Sequence, residues 1–277
     1  MPMMLEPNGL GGLRVRQVMS HPVVYLDHWA VRRFGDDVPL ADRFIAALFA
    51  AKGTWLFSQA NLQEFIAMQD IATARRVEAL IARAFPYFHV LDTMSDTDFF
   101  RRRQRDQARP PDAPQEHWIL GDLLQRALIT NGQFNTRNFI SDQYEHADAL
   151  RPQLEQMKQA VANHVNGLRA QIFTIHERRK LVPRPGMRLT QIFMEELLIE
   201  PAGNAGQAFT ENDSLDFVHA LPACQICDLV LLDSAWRNKV EVSTRRIRKA
   251  GIKGQIAKCY SSKTLPDFVA ALEAAKM

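Results

Sequence analysis

The sequence predicts an α/β fold with a parallel central sheet, on three observations. Short runs rich in β-branched and aromatic residues alternate with segments of helical spacing. Two of these runs, Val23 to Leu26 and Leu229 to Leu232, are apolar throughout, the pattern of strands buried on both faces. Both runs end on an aspartate, Asp27 and Asp233.

The elements follow in order. The first twenty residues read as irregular, with Pro2, Pro7 and a cluster of Gly9, Gly11 and Gly12. "HPVVYLDHWA" holds the first core strand. "PLADRFIAALFAAKG" spaces Leu40, Phe44, Ile45, Leu48 and Phe49 as a helix does, and Gly53 stands at the stop position. "TWLFS" reads as a second strand. "QANLQEFIAMQDIATARRVEALIARAF" reads as two helices, and "YFHVLDT" as a third strand ending near Asp92. From Ser95 to about Glu200 the periodicity is helical, in "EHWILGDLLQRALI" and "QLEQMKQAVANHVNGLRAQIFTIHERR", with loops in "RRRQRDQARPPDAP" and "EPAGNAGQAFTENDS". Alternation then resumes: a helix from about Ser214, a strand at 228–232, a basic stretch, a strand near Ile256–Tyr260, and a last helix in "LPDFVAALEAAKM". The expected organisation is one domain over 1–277. Its α/β core spans about 21–92 and 210–275, with a helical insertion at about 95–205.

Bulk properties narrow the function classes. A chain of 277 residues buries a substantial core. At 47% hydrophobic and 23% charged, the composition is that of a soluble globular protein. No apolar run approaches a membrane span, and the start lacks the layout of a signal peptide. Three cysteines make a disulfide framework improbable, so a reducing cytoplasm is expected. The net charge of +3 permits a polyanionic partner without requiring one.

An acid after a strand can simply be solvated, or cap the next helix. For a single acid that explanation is the better one. Two acids at the ends of two core strands ask for more, because ligand sites of open parallel sheets form at the carboxyl ends of strands. Before the second strand, "NDSLDFVHALPACQ" places Asp213 as an N-cap and Asp216 three residues on, with His219 sharing Asp216's face. Asp216 can serve the helix dipole or turn toward the strand ends. Glu64, early in the helix after "TWLFS", stands among Leu62, Phe65 and Ile66.

The order strand-Asp, helix-Glu, helix-Asp, strand-Asp resembles the PIN domain, a superfamily of metal-dependent nucleases. The residues that carry the resemblance are "VVYLDHWAV", "FSQANLQEF" and "NDSLDFVHALPACQICDLVLLDSAW". The last resembles a branch with histidine three residues after the third acid and Cys-Asp before the strand. The resemblance covers about 21–92 and 210–275. It implies a PIN-like parallel-sheet sandwich whose acidic pocket is Asp27, Glu64, Asp216 and Asp233, with Asp213 and Asp228 in reserve. Many PIN domains have Thr or Ser before the final acid; here Leu232 stands there, and Ser58 or Ser234 would have to supply the hydroxyl. Four carboxylates in one cleft repel, and Mg²⁺ or Mn²⁺, hard cations that prefer oxygen, would relieve that repulsion.

Other features of the sequence carry weaker signals. "TRRIRKAGIKGQIAK", Thr244 to Lys258, holds six cations and no acid, and "RRRQR" at 101–105 holds four. Either is as well explained by a solvated face. The first directly follows a proposed ligand, so Arg245, Arg246, Arg248 and Lys249 are candidate nucleic-acid contacts. Cys224 and Cys227 form a lone C-x-x-C on a helix, too little for zinc beside Cys259 alone, and read as core residues. Trp29 and Trp236 read first as wall packing and second as base-stacking platforms. No phosphate-binding glycine loop is present. The expected activity is that of a divalent-metal-dependent endoribonuclease on single-stranded or structured RNA, with a homodimer or inhibitory protein as possible partners. The rival expectation is a degenerate, non-catalytic PIN-like module that binds RNA or protein.

Overall fold

The computed structural model describes residues 2–8, 12–91, 117–130, 132–172, 181, 189–203 and 208–275. Asp92 and the "RRRQR" run lie outside the described residues. Seven strands are described. β1 (Met3–Pro7) and β2 (Leu13–Gln17) pair antiparallel, and β3 (Val23–Leu26), β4 (Thr54–Ser58), β5 (Phe88–Leu91), β6 (Leu229–Leu231) and β7 (Lys258–Tyr260) form one sheet. That sheet is wholly parallel, in the order β5-β4-β3-β6-β7.

Alternate strand residues face opposite layers, as the pleat requires. Val24 and Leu26 join Trp55, Phe57, Phe88, Val90 and Leu231 in one core, whereas Val23, Tyr25, Leu56, Val230 and Leu232 join the other. The first core is closed by α1 (His28–Asp36), α2 (Val38–Ala50), α4 (Ile71–Ala84), α5 (His117–Ile129) and α10 (Leu265–Ala274). The second is closed by α6 (Ala147–Ile172), α7 (Leu189–Gly203), α8 (Glu211–Ile226) and α9 (Ser234–Lys249). α3 (Gln59–Met68) follows β4 and leans on α6 and α8. Helices of the middle block thus line both cores: α5 enters the first, and α6 and α7 cover the second face of the sheet.

Several expectations are corrected here. The first twenty residues are not irregular: β1 and β2 form a hairpin, closed where Gly12 N donates to Asn8 Oδ1 at 3.0 Å. Its last residue, Gln17, is buried and acts as a surrogate strand. The Gln17 amide donates to Val90 O at 3.2 Å and accepts from Val90 N at 2.8 Å, closing the outer edge of β5. The helix before β6 begins at Glu211, not Ser214, because Thr210 is its N-cap and Asp213 its capping-box partner. Glu200 to Gly203 belong to α7, not to a loop. The first part of the basic stretch, Thr244 to Lys249, is the end of a helix, α9, and its last residue, Lys258, begins β7. Gly53 lies beyond the end of α2, where the positive φ of 48° belongs to Lys52. Glycine is needed at 53 for space, since a Cβ there would meet Pro22 O at 2.6 Å.

Candidate functional site

β3 and β6 are adjacent in the sheet, and the chain leaves them in opposite directions, to β4 on one side and β7 on the other. Their carboxyl ends therefore form the topological switch point, where open parallel sheets bind ligands. Leu26 pairs with Leu231, and Asp27 N donates to Leu231 O at 3.0 Å. That register brings Asp27 and Asp233 to the same edge of the sheet.

Both aspartates also cap the helices that follow them. Asp27 Oδ1 accepts from His28 N at 2.7 Å, and Asp233 Oδ1 accepts from Ala235 N at 2.6 Å and Trp236 N at 3.0 Å. Capping uses one oxygen of each carboxylate and fixes its orientation. Capping and ligand binding are thus compatible roles for one residue here. The N-termini of α1 and α9 bring the positive ends of two helix dipoles to the same place.

α8 contributes Asp216, and ligand atoms of Asp27, Asp216 and Asp233 lie within 4.8 Å of one another. Atoms of Asp27, Glu64 and His219 form a second such group, sharing Asp27 with the first. Among the described residues, no Lys or Arg forms an ion pair with Asp27, Asp216 or Asp233. Burial raises the Asp27 carboxyl to about 7, with help from Glu64 and Asp233 and against the opposing charge of His219. Burial likewise raises Asp216 to about 7, reinforced by the charges of Asp27 and Asp233.

Glu64 behaves differently. Burial pushes its carboxyl up, but His219, His28 and Lys158 together outweigh burial and the net shift is downward. His219 Nε2 lies 3.0 Å from Glu64 Oε2, and the imidazole is buried. Burial depresses His219, yet Glu64, Asp27 and Asp216 together raise it. Its other nitrogen, Nδ1, contacts the hydroxyl of Tyr25, which lies 3.2 Å from Ser58 Oγ. Burial raises the Tyr25 phenol well above its usual range, so it stays protonated. Ser58 caps α3 through a reciprocal pair with Asn61, and Asn61 Nδ2 reaches back to Leu26 O at 3.3 Å. Glu64 sits one turn beyond Asn61 on this tethered helix start.

All four predicted acids therefore converge. His219, Tyr25, Ser58 and Asn61 complete the site; of these, His219 was legible by its i+3 spacing from Asp216, and Ser58 was named as a source of a hydroxyl. The reserve acids are elsewhere. Asp213 is occupied by Thr210 and by Lys239 Nζ at 3.1 Å. Asp228 lies at the amino edge of the sheet, holding Val23 N at 2.7 Å and Gln255 Nε2 at 2.7 Å. Trp236 is buried against Phe209 and Phe217, and Trp29 packs on the first core. Both are wall residues. Cys224 and Cys227 are buried thiols outside any disulfide, and Cys224 Sγ is 3.5 Å from Cys259 Sγ.

The basic candidates do not join the acids. Arg245 is twelve residues beyond Asp233 on α9, about 18 Å along the axis at 1.5 Å per residue. Arg246 pairs with Glu196, a buried acid of α7. Arg245, Arg248 and Lys249 are exposed on the far half of α9.

No helix among the described residues is long and apolar enough to cross a membrane. Comparison with family models, with curated proteins and with solved structures finds no match in any of the three.

Proposed function

We propose that this protein is a divalent-metal-dependent nuclease, acting on RNA as an endoribonuclease. One observation carries the reading: at the switch point of a parallel sheet, Asp27, Asp216 and Asp233 face one another without a Lys or Arg partner among the described residues. Two of them titrate near 7, which marks a site strained in the absence of positive charge. The donor set fits Mg²⁺ or Mn²⁺, since it is all carboxylate oxygen. A divalent cation held there would polarise a phosphoryl oxygen and supply a water-derived nucleophile near neutral pH.

Each residue of the chain then has a task. Asp27 and Asp233 are held in place through their helix caps and present their remaining oxygens. Asp216 completes the set from α8. Glu64 is already paired with His219, so its role is toward water and the outer surroundings of the cation. The Tyr25–His219–Glu64 chain fixes that orientation.

The test is paired. Thermal melts with Mn²⁺ and with chelator measure binding, and a labelled single-stranded RNA with and without Mn²⁺ measures cleavage. A Mn²⁺-dependent rise in melting temperature together with chelator-sensitive internal cleavage is expected. Absence of both overturns the reading in favour of a non-catalytic module.

A further inference from the structure

α9 and α10 flank a groove of about 1080 Å³ above the edge strand β7. The groove is rich in cations. Along α9 the lining residues Arg237, Glu241, Thr244, Arg245 and Arg248 fall at helical spacing, so they form one stripe. Lys258 enters from β7. Arg237 is engaged by Glu241 at 2.6 Å. Arg245, Arg248 and Lys258 are exposed and form no ion pair with a carboxylate among the described residues. Asp267 is the other acid of the lining.

A second feature of the groove points to a ligand. Its wall holds two buried polar atoms without a hydrogen-bond partner, Arg237 Nε and Thr244 Oγ1, and beside them the buried Tyr260 hydroxyl, which Lys258 faces. Tyr260 is 3% exposed, and its ring carries Lys258 Nζ at 5.1 Å from the centroid. Each of these atoms can donate to an oxygen-rich guest, as the exposed cations Arg245, Arg248 and Lys258 can. Asp233 caps the start of α9, and Arg237, the first residue of the stripe, lies one helical turn beyond it.

We propose that the groove between α9 and α10 is a phosphate track, which holds the sugar–phosphate backbone of a polynucleotide that crosses the acid cluster. This rests on the nuclease reading for what happens at the cluster, but the binding itself needs no metal. Arg245, Arg248 and Lys258 contact phosphates, and Tyr260 and Thr244 donate between them. Arg246, turned toward α7, is not part of the track. The contacts are to backbone and carry no sequence preference.

The test measures anisotropy of short fluorescent single-stranded RNA and DNA of one sequence, in chelator, across a KCl titration. It compares wild type, R245Q/R248Q/K258Q, and a control of equal charge loss, K52N/R75Q/R137Q, at exposed positions on other surfaces. The groove variant is expected to lose about tenfold or more in affinity at low salt. The slope of log affinity against log salt should shrink by about 2, three phosphate contacts at ~0.7 each. The control should keep the wild-type slope. Unchanged binding by the groove variant, an equal loss by the control, or no binding of either oligonucleotide by wild type overturns the proposal. A preference between RNA and DNA identifies the polynucleotide. If wild type binds through the groove but neither shifts its melt with Mn²⁺ nor cleaves, the nuclease reading fails while the track stands.

Discussion

His219 Nε2 stands 3.0 Å from Glu64 Oε2, with the histidine side chain 1% exposed and the glutamate 19%. This pair joins α8 to α3 across the carboxyl edge of the sheet, and through Tyr25 it also reaches β3. Removing one partner of such a pair leaves the other buried and uncompensated. His219→Ala should therefore cost about 3 kcal/mol or more in urea unfolding. Adding Glu64→Gln to that variant should recover part of the loss, because the stranded charge is gone. A loss below about 1 kcal/mol for the single variant, with no recovery in the double, would show that the pair does not hold the two helices together.

The pH dependence of the metal-free protein follows from the same cluster. Asp27 and Asp216 titrate at about 7 when folded, against a reference value of 3.8. From pH 4 to 7 the folded chain therefore holds protons that the unfolded chain has released, and stability falls as pH rises through that window. His219 is raised when folded, so its contribution is full below 6.5 and is also lost as pH rises. Glu64 is lowered, so its stabilisation holds above 4.5 and fails only as acid protonates it in the folded state. In chelator, the melting temperature should be higher at pH 6 than at pH 8. Mn²⁺ binding competes with protons and should reverse the order. Asp216→Asn should flatten the chelator slope, and an unaltered slope in that variant would remove Asp216 from the account.

Asp233→Asn separates the two roles of that residue. Asparagine caps a helix about as well as aspartate, so α9 should keep its start. The charge that a cation needs is removed. Outer residues of metal sites are worth about 10–100-fold in affinity, and a direct ligand should be worth at least that. Mn²⁺ affinity and RNA cleavage should both fall about a hundredfold or more, while the metal-free melt stays level or rises. A folded Asp233→Asn that cleaves at the wild-type rate would exclude Asp233 as a ligand.

How much of this was written legibly in the chain differs from element to element. β3, β4 and β6 are buried on both faces, so β3 and β6 are apolar throughout, β4 is apolar from Trp55 to Phe57, and all three announce themselves. The acids that end β3 and β6 converge because those strands are neighbours in register, which single-chain spacing suggests only through the α/β pattern. The hairpin β1–β2 was missed, although Asn8-Gly9 between alternating residues is a hairpin signal. Its strands are short and half-exposed, and prolines and glycines hide the alternation. The Tyr25–His219–Glu64 chain joins residues far apart in sequence, and no local pattern marks such a meeting. For the basic run, adjacency to Asp233 in sequence is not adjacency in space. Trp236, Val240 and Ile247 carry helical spacing through that run, and a helix moves its far end away from its cap.

Arg246 and Arg245 are sequence neighbours with different surroundings, and the final prediction uses the difference. Arg246 pairs with Glu196, whose side chain is 0% exposed. Its removal leaves a buried acid on α7 facing α9, the helix it packs against. Arg246→Gln should therefore destabilise the chain by about 3 kcal/mol. Arg245 is exposed without a carboxylate partner among the described residues, and Arg245→Gln should stay within about 0.5 kcal/mol of wild type. Replacing both members of the buried pair, Arg246→Met with Glu196→Leu, should restore most of the stability, since apolar side chains of similar size avoid the desolvation cost. Urea unfolding of the three variants decides it. If Arg246→Gln is as mild as Arg245→Gln, the Glu196 contact does not bind α7 to α9, and Arg246 returns to the surface cations available to a polyanion.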